Sequence, residues 1–439
     1  MHPSMLARSE WRRRSGTVIS PMALPRSFAP FRHRRYAALW TGAFASNIGT
    51  WMETVAVGIL VTKATGQVSW TGLVAAAGFV PMALLGPVGG ALADRVPRRP
   101  LLITTSTVQA ILAGVLTLLA AIGAAEPWAV TLIVFISGCA GALGFPAYQS
   151  LMPDLVPREE LASAVALGAA QWNLGRVIGP LLAGVVIAFG GFEMAFAVNT
   201  LSFLAVIAAI APLRLPPPTP KQGESIATAI RDGARFSLRE PGIRAVMLYL
   251  ALNSLLAAPF IALVPAVAFK LFDDGSSGTA ALVTAQGVGA VLMAVSLGGL
   301  SFRFGHRRVL LSAVGVLPVT LVLYALAPSL PLAVAAIFFV GAAYLGCLSS
   351  FTTVAQLRAP DALRGRVMSA LMVLLGILYP LGSIIQGTIA DEIGLRATTT
   401  GAAVLLGVAL LVIRVARPGF DAEVRDPQMI DQSPNAPTA

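Results

Sequence analysis

Residues 101–125 read LLITTSTVQAILAGVLTLLAAIGAA, and after Glu126-Pro127-Trp128 residues 129–152 continue AVTLIVFISGCAGALGFPAYQSLM. Neither run holds a charged residue. A helix of about 20 residues, rising 1.5 Å each, crosses a hydrocarbon core about 30 Å thick. Each run is therefore read as one crossing of a bilayer. A transmembrane β-barrel would need short segments of alternating polarity, and these uninterrupted apolar stretches reject it. Outward from this region the pattern repeats along the chain. Of 439 residues, 56% are hydrophobic and only 12% charged, against about 25% charged in a soluble domain. The 42 glycines suit membrane helices, whose contacts favour small residues.

A window of about 19 residues predicts twelve spans, beginning near 37, 70, 100, 128, 162, 194, 244, 278, 309, 331, 367 and 397. An even number puts both termini on one side. Of the 31 basic residues, 27 lie on that side, three (Lys63, Lys270 and Arg396) lie opposite, and Arg176 is inside a span. Lys and Arg accumulate on the cytoplasmic side, so the bias predicts a multi-pass membrane protein with both termini cytoplasmic. The net charge of +11 is then a topology signal, and no nucleic-acid partner is expected. Cys139 and Cys347 fall inside apolar runs, and His2, His33 and His306 are scattered. Neither a disulfide framework nor a metal site is expected.

The predicted organisation is all-α: a basic arm over 1–35, a six-helix bundle over 36–213, a linker over 214–243, a second six-helix bundle over 244–416, and a tail over 417–439. The arm lacks an apolar core long enough for a signal sequence and is read, like the polar tail, as disordered; Met22 is an alternative start. The linker opens with Pro212, Pro216, Pro217, Pro218 and Pro220. After them Arg231, Arg235 and Arg239 recur at helical spacing, mostly away from Ile226, Ile230 and Phe236. This pattern fits a short helix at an anionic membrane surface, or a solvated linker helix.

The two halves echo each other. Gly90-Ala-Leu-Ala-Asp94-Arg95-Val-Pro-Arg98-Arg99 is matched 209 residues later by Gly299-Leu-Ser-Phe-Arg303-Phe-Gly-His-Arg307-Arg308, and Gly138-Cys139 is matched 208 residues later by Gly346-Cys347. Two echoes at nearly one offset indicate pseudo-symmetric bundles, as transporter repeats provide.

With these features the chain resembles the major facilitator superfamily over residues 31–415. Phe31-Arg-His-Arg-Arg-Tyr, Gly49-Thr-Trp51-Met52, residues 81–99 and Asp232-Gly-Ala-Arg235-Phe-Ser-Leu-Arg-Glu-Pro241-Gly-Ile-Arg244 are similar to its branch of enterobactin-exporter-like and macrolide-efflux-like bacterial proteins. The resemblance implies two six-helix bundles in the bacterial inner (cytoplasmic) membrane, rocking about a central cavity, and export of a small molecule against proton influx. Pro97 stands where the broader family has glycine.

Several residues are candidates for chemistry. Asp94 closes the second span, where the helix macrodipole disfavours an anion. Arg95, Arg98 or Arg99 could partner it, and the resemblance adds the start of span eleven near Arg366. With Gly90, Arg303, Arg307 and Arg308 this group is either a cytoplasmic latch between the halves or a topology signal alone. Glu53 is an intramembrane carboxylate, an expensive placement. Ser46, Gly49, Thr50 and Glu53 make one small polar face, expected to meet a cavity in which Glu53 would exchange a proton; a static structural pair or contact with outer headgroups is the alternative. Arg176 is the other buried charge, expected to bind an anionic substrate, to pair with Glu53, or to stabilise packing. It sits in Gly175-Arg-Val-Ile-Gly179-Pro180-Leu-Leu-Ala-Gly184, which resembles the fifth-span motif of proton-coupled exporters with one extra residue. Its glycines permit close helix approach.

Tyr148, Gln149, Gln171, Trp172, Asn173, Asn253, Gln286, Tyr344, Gln356, Tyr379 and Gln386 are polar or amphipathic groups in or at the ends of spans. Each either lines the cavity or bonds between helices. Trp51, Trp70 and Trp128 are read as interface anchors. There is no GxxxxGK[ST] stretch to cradle ATP, and no Ser/His or His/Asp arrangement on the loops. The function predicted is therefore secondary transport, proton-coupled export of a drug, siderophore or metabolite, with import or facilitated passage as the alternative and a scaffold a third. No enzyme activity and no cofactor is expected beyond a proton gradient as energy source; the expected partners are a small-molecule substrate and the lipid bilayer, with no obligate protein.

Overall fold

The computed structural model describes residues 26–213, 215, 226–360, 363–417 and 419–424. Among these, all regular structure is helical. We label the spans α1 (Arg34–Thr65), α2 (Val68–Arg95), α3 (Arg98–Ala121), α4 (Pro127–Gln149), α5 (161–189), α6 (192–210), α7 (241–272), α8 (Ser276–Phe304), α9 (His306–Ala325), α10 (Leu330–Arg358), α11 (Arg364–Ile393) and α12 (Leu395–Ala416). Eleven helices are long and apolar enough to cross a membrane, and one of them runs over Arg158–Ile210. That helix turns back at Gly190 and at Gly191, whose φ of +68° a side chain would resist. It thus supplies both α5 and α6, and the crossings number twelve.

Local chemistry sets the helix ends. Gly66, at φ +63°, stops α1, and its N–H donates to the Thr62 carbonyl at 2.9 Å. Pro127 and Pro241 open α4 and α7 at positions where no intrahelical N–H is missed. Inside α7 a π-turn at Asn253–Ala257 widens the helix. Gln386 of α11 takes up the turn's polar backbone, its Nε2 donating to the Leu255 and Leu256 carbonyls at 3.1 and 3.0 Å.

Two expectations about the segments outside the spans need correction, and the linker helix gains a seat. The arm is ordered from Arg26: a 3-10 turn runs to Arg32, and Phe31 packs edge-on to Tyr36 and Trp40. The tail is not wholly disordered either, because Phe420 is buried edge-on against Tyr249 of α7 and Glu423 pairs with Arg244 at 3.7 Å. One aromatic amid polar residues suffices for docking, and composition does not register it. Residues 1–25 and 425–439 lie outside the described residues. The linker helix (Ile226–Arg239) lies on protein: Gly233 sits against the Arg366 carbonyl, Ser237 is fully buried, and Asp232 pairs with Arg366 at 3.6 Å. Small residues at i and i+4 give it a flat face, while Arg231, Arg235 and Arg239 are exposed. Pro216, Pro217, Pro218 and Pro220 lie outside the described residues. Glu240 then caps α7 through the Ile243 N–H and takes the Arg358 guanidinium at 2.6 Å, so the linker helix is fastened to the second bundle.

The bundles meet along two helix pairs, α2 with α11 and α5 with α8. We call the face carrying both termini the terminal face and the other the distal face. Near the distal face Gly72 lies against the Ser383 carbonyl and Gly387 against Val68 and Ser69; toward the middle Gly376 meets Ala83. In the second pair Gly184 meets Ala280 and Gly287 meets Val177. Gly58 of α1 adds a contact with Pro265 of α7. Toward the terminal face the helices part, for side chains added at Gly86, Gly90, Gly168, Gly298, Gly299 or Gly365 would meet open space. The bundles form a V that is sealed distally and open terminally.

Candidate functional site

Where the seam ends, at mid-height, α5 carries Arg176. Pro180 has no N–H to give the Arg176 carbonyl, which lies instead toward Gly287 of α8. Gly175 and Gly179 pack on α1 at Asn47 and at Ile48 to Met52, bringing Trp51 beneath the guanidinium, 5.8 Å from the ring centroid. This is cation–π distance. Trp51 in turn meets Trp172 edge-on at 5.9 Å, and Trp172 lies 6.4 Å from Phe145. Trp51 is thus a wall of the site and not an interface anchor. From the second bundle Tyr344 and Tyr379 come close enough to interact electrostatically with Arg176. Phe79 of α2 packs edge-on to Tyr379 at 5.1 Å.

The guanidinium of Arg176 makes no hydrogen bond or ion pair with any described residue, and the residue is half-buried. Beside it the Trp51 Nε1 donor is buried without an acceptor. The five donors of a guanidinium and one indole N–H therefore lie without an acceptor among the described residues, beside the rings of Trp51, Trp172 and Phe145. Donors and rings so placed suit a ligand with ring surface and an acceptor-bearing edge.

Glu53 does not pair with Arg176. Asn199 of α6 donates to its Oε2 at 2.6 Å, and Ser202 donates to the Asn199 Oδ1 at 3.0 Å. Gly49 makes room for this, since a side chain there would strike Asn199 and Ser202. The expected polar face is therefore split: Gly49 and Glu53 turn to α6, Ser46 is half-buried, and only Thr50 is exposed. Helical spacing groups residues on a face but does not say which neighbour that face meets.

The terminal-face residues also differ from expectation. Asp94 and Gly90 face open space, and Asp94 makes no ion pair with a described residue. Arg98 donates to Asp154 at 2.6 Å and to the Ser150 carbonyl at 3.0 Å, while Arg99 reaches the Ala211 carbonyl. Both serve the first bundle internally. Arg95 and Arg308 are exposed, Arg307 is half-buried, and Arg303 lies over Phe304. In this conformation no latch joins Asp94 to α11, because the terminal ends stand apart.

The remaining candidates divide. Tyr344 and Tyr379 border the site. Tyr148 donates to Gln171 at 3.4 Å, Asn173 to its own helix at Ala169, and Gln386 to the α7 π-turn. Asn253 and Gln286 are buried with unpartnered amide atoms, and Gln149 and Gln356 are exposed. In the Gly175, Gly179, Pro180, Gly184 motif the first two glycines seat α1 and the last seats α8. Sequence reasoning missed Asn199 and Ser202, ordinary polar residues in an apolar run. It also missed Asp391, although the rule that singled out Asp94, an acid at a helix C-terminus, applies to it equally.

Paired six-helix bundles closed at one face over a midplane site define a transporter of the major facilitator type. The same fold is seen in a bacterial homologue of the human lysosomal transporter Spinster, in an inward-facing structure, with a TM-score of 0.68, 16% identity, and coverage of 91% of this chain and 98% of that one. The nucleoside transporter NupG gives 0.67 at 15% identity, over 86% and 99% of the two chains. The chain belongs to the transmembrane secretion effector family of major facilitator proteins, whose pattern it matches over residues 25–436. It is 30% identical over 382 residues to the multidrug efflux pump Tap of Mycolicibacterium fortuitum, covering 83% of this chain and 90% of Tap. Macrolide efflux protein A of Streptococcus pyogenes is 24% identical over 375 residues, 82% and 91% of the two chains. These relatives are transporters and not enzymes, and the chain is a multi-pass membrane transporter of a small molecule.

Proposed function

We propose that this transporter exports a small amphipathic molecule across the bacterial inner membrane against proton influx, with the terminal face cytoplasmic. The observation that carries the reading is Arg176: a half-buried guanidinium at mid-height with no hydrogen bond or ion pair to any described residue, backed by Trp51, at the apex of a V open on the face that bears 27 of the 31 basic residues. A substrate entering there from the cytoplasm would lay ring surface on Trp51, Trp172 and Phe145 and offer carbonyl or carboxylate oxygens to Arg176. The multidrug and macrolide names of the relatives agree with a substrate of this kind.

Glu53 is the proton carrier in this scheme. Its Oε2 holds one amide hydrogen, and no described residue donates to its Oε1. Inside-out vesicles made from cells producing the chain should accumulate radiolabelled erythromycin, a macrolide probe, when a proton gradient is imposed. An uncoupler should abolish the accumulation. Glu53→Gln keeps an acceptor for Asn199 and removes the titrating group; driven accumulation should fall about tenfold or more while erythromycin binding and membrane insertion persist. Gradient-independent accumulation would refute coupling, and full activity of Glu53→Gln would remove this residue as carrier.

A further inference from the structure

At the distal end of the seam, Asp391 of α11 reaches across to the other bundle. Its Oδ1 accepts the Val68 N–H at 2.6 Å and its Oδ2 the Ser69 N–H at 2.9 Å, while Lys270 of α7 stands 3.7 Å from Oδ1. Val68 and Ser69 are the first residues of α2, where backbone donors lack intrahelical partners and the helix dipole presents positive charge. The local N-cap, Gln67, bonds none of them through its side chain, and the first turn of α2 has no acid of its own. The cap comes from the opposite bundle. Asp391 is itself unfavourably placed at the negative end of α11, so its carboxylate gains by leaning onto α2.

The same helix pair carries a second arrangement of this kind at its other end. Gly387 lies against Ser69 and Gly376 against Ala83, so the two antiparallel helices stay paired from the distal face to the middle. Eleven residues beyond Ala83 comes Asp94 and eleven before Gly376 comes Gly365, in the first turn of α11, so that the end of α2 and the start of α11 lie at the same end of the pair. There too the N-cap, Leu363, has no side-chain acceptor, and the first turn has no acid. Asp94 closes α2 as Asp391 nearly closes α11. Each helix thus ends in an acid at the same end of the pair as the uncapped start of the other. Only the distal pair is made, because the V is closed there and open at Asp94.

We propose that Asp391 is the distal latch of the transport cycle: it holds the sealed distal face by capping α2, and it works against the cytoplasmic latch that the resemblance implies for Asp94 at the start of α11. The two latches cannot coexist, since the bundles that meet at one end of the seam part at the other. Ligand-free occupancy of the two states is then set by the balance between these two carboxylates, with Lys270 weighting the distal one. The proposal rests on alternating access by this fold and not on the export direction, the substrate or the role of Glu53.

The test uses full-length transporter in lipid nanodiscs in a Cys139→Ser, Cys347→Ser background, with spin-label pairs at Ala64 and Ala397 across the distal face and at Glu159 and Leu357 across the terminal face. Asp391→Asn should move population to longer distal and shorter terminal distances, cutting the ratio of distal-closed to distal-open molecules about tenfold, equivalent to about 1.4 kcal/mol. Asp94→Asn should move both distances the opposite way, and the double variant should return toward the parent. Ser69→Pro removes one of the two donors, leaves the carboxylate, and suits the first turn of a helix; a smaller shift in the direction of Asp391→Asn is expected. Lys270→Gln should do the same. If Asp391→Asn fails to insert, Ser69→Pro and Lys270→Gln decide the matter. Unchanged distances in the variants that insert would overturn the latch, and a response to Asp94→Asn alone would overturn it while leaving alternating access intact.

Discussion

At the distal end of the α2–α11 seam Gly72 lies against the Ser383 carbonyl and Asp391 binds the start of α2, whereas at the terminal end Gly90 and Gly365 face open space and Asp94 binds nothing described. The ingredients at the two ends are nearly the same: glycines, an acid at a helix C-terminus, an uncapped helix start. The difference is one of geometry. A rigid pair of bundles can press together at one end of its seam only by parting at the other. Small residues keep both contacts sterically possible, and the charges bias which is made.

Arg176 lies at the fulcrum between these ends, and its removal should have the largest effect. Arg176→Ala should lower erythromycin transport about a hundredfold, the equivalent of about 3 kcal/mol for a lost charge-assisted hydrogen bond, while the spin-label distances across both faces stay as in the parent. Arg176→Lys should recover part of the loss, since a point charge replaces a fork of donors. If Arg176→Ala instead shifted the distances and spared transport, the residue would belong to the seam and not to the site.

A side chain at the closed end and one at the open end should behave in opposite ways. Gly72→Val must displace the Ser383 carbonyl, and overpacking of this kind costs about 1–3 kcal/mol. It should deplete the distal-closed state about tenfold or more, read by lengthening of the Ala64–Ala397 distance. Gly90→Val meets open space in this state. It should penalise only closure of the terminal face and so move population toward the distal-closed state, the reverse of Gly72→Val. Equal effects from the two substitutions would erase the contrast between the ends.

Much of this molecule is legible in its sequence, for reasons that also explain what is not. Charge-free runs such as residues 101–125 mark spans because a bilayer imposes both length and polarity. Basic loops mark one face for an equally general reason. Contacts between helices are another matter. Glu53 stands out as a costly charge, yet nothing in its own run names Asn199, 146 positions away, as its donor. Trp51 reads as an interface anchor by position, and only the seating of Gly179 on α1 turns it under Arg176. The terminal arginines read as one cluster, but Arg98 and Arg99 reach Asp154 and Ala211, which a linear reading does not join to them.

The linker helix offers the subtlest way to sharpen the contrast between the two ends. Arg366 lies in the first turn of α11, the helix start at the same end of the pair as Asp94, and it now pairs with Asp232 at 3.6 Å. Holding Arg366 toward the linker keeps one cation turned from Asp94 while the terminal face is open. Both partners are partly exposed, and such pairs are worth about 0.2–1 kcal/mol. Asp232→Asn should therefore shift population toward terminal closure by no more than about fivefold, seen as a modest shortening of the Glu159–Leu357 distance. Combined with Asp94→Asn, the same substitution should shift nothing, because the acid that would receive Arg366 is then neutral. A shift that survives in the double variant would mean that the linker acts on the terminal face by some route other than Asp94.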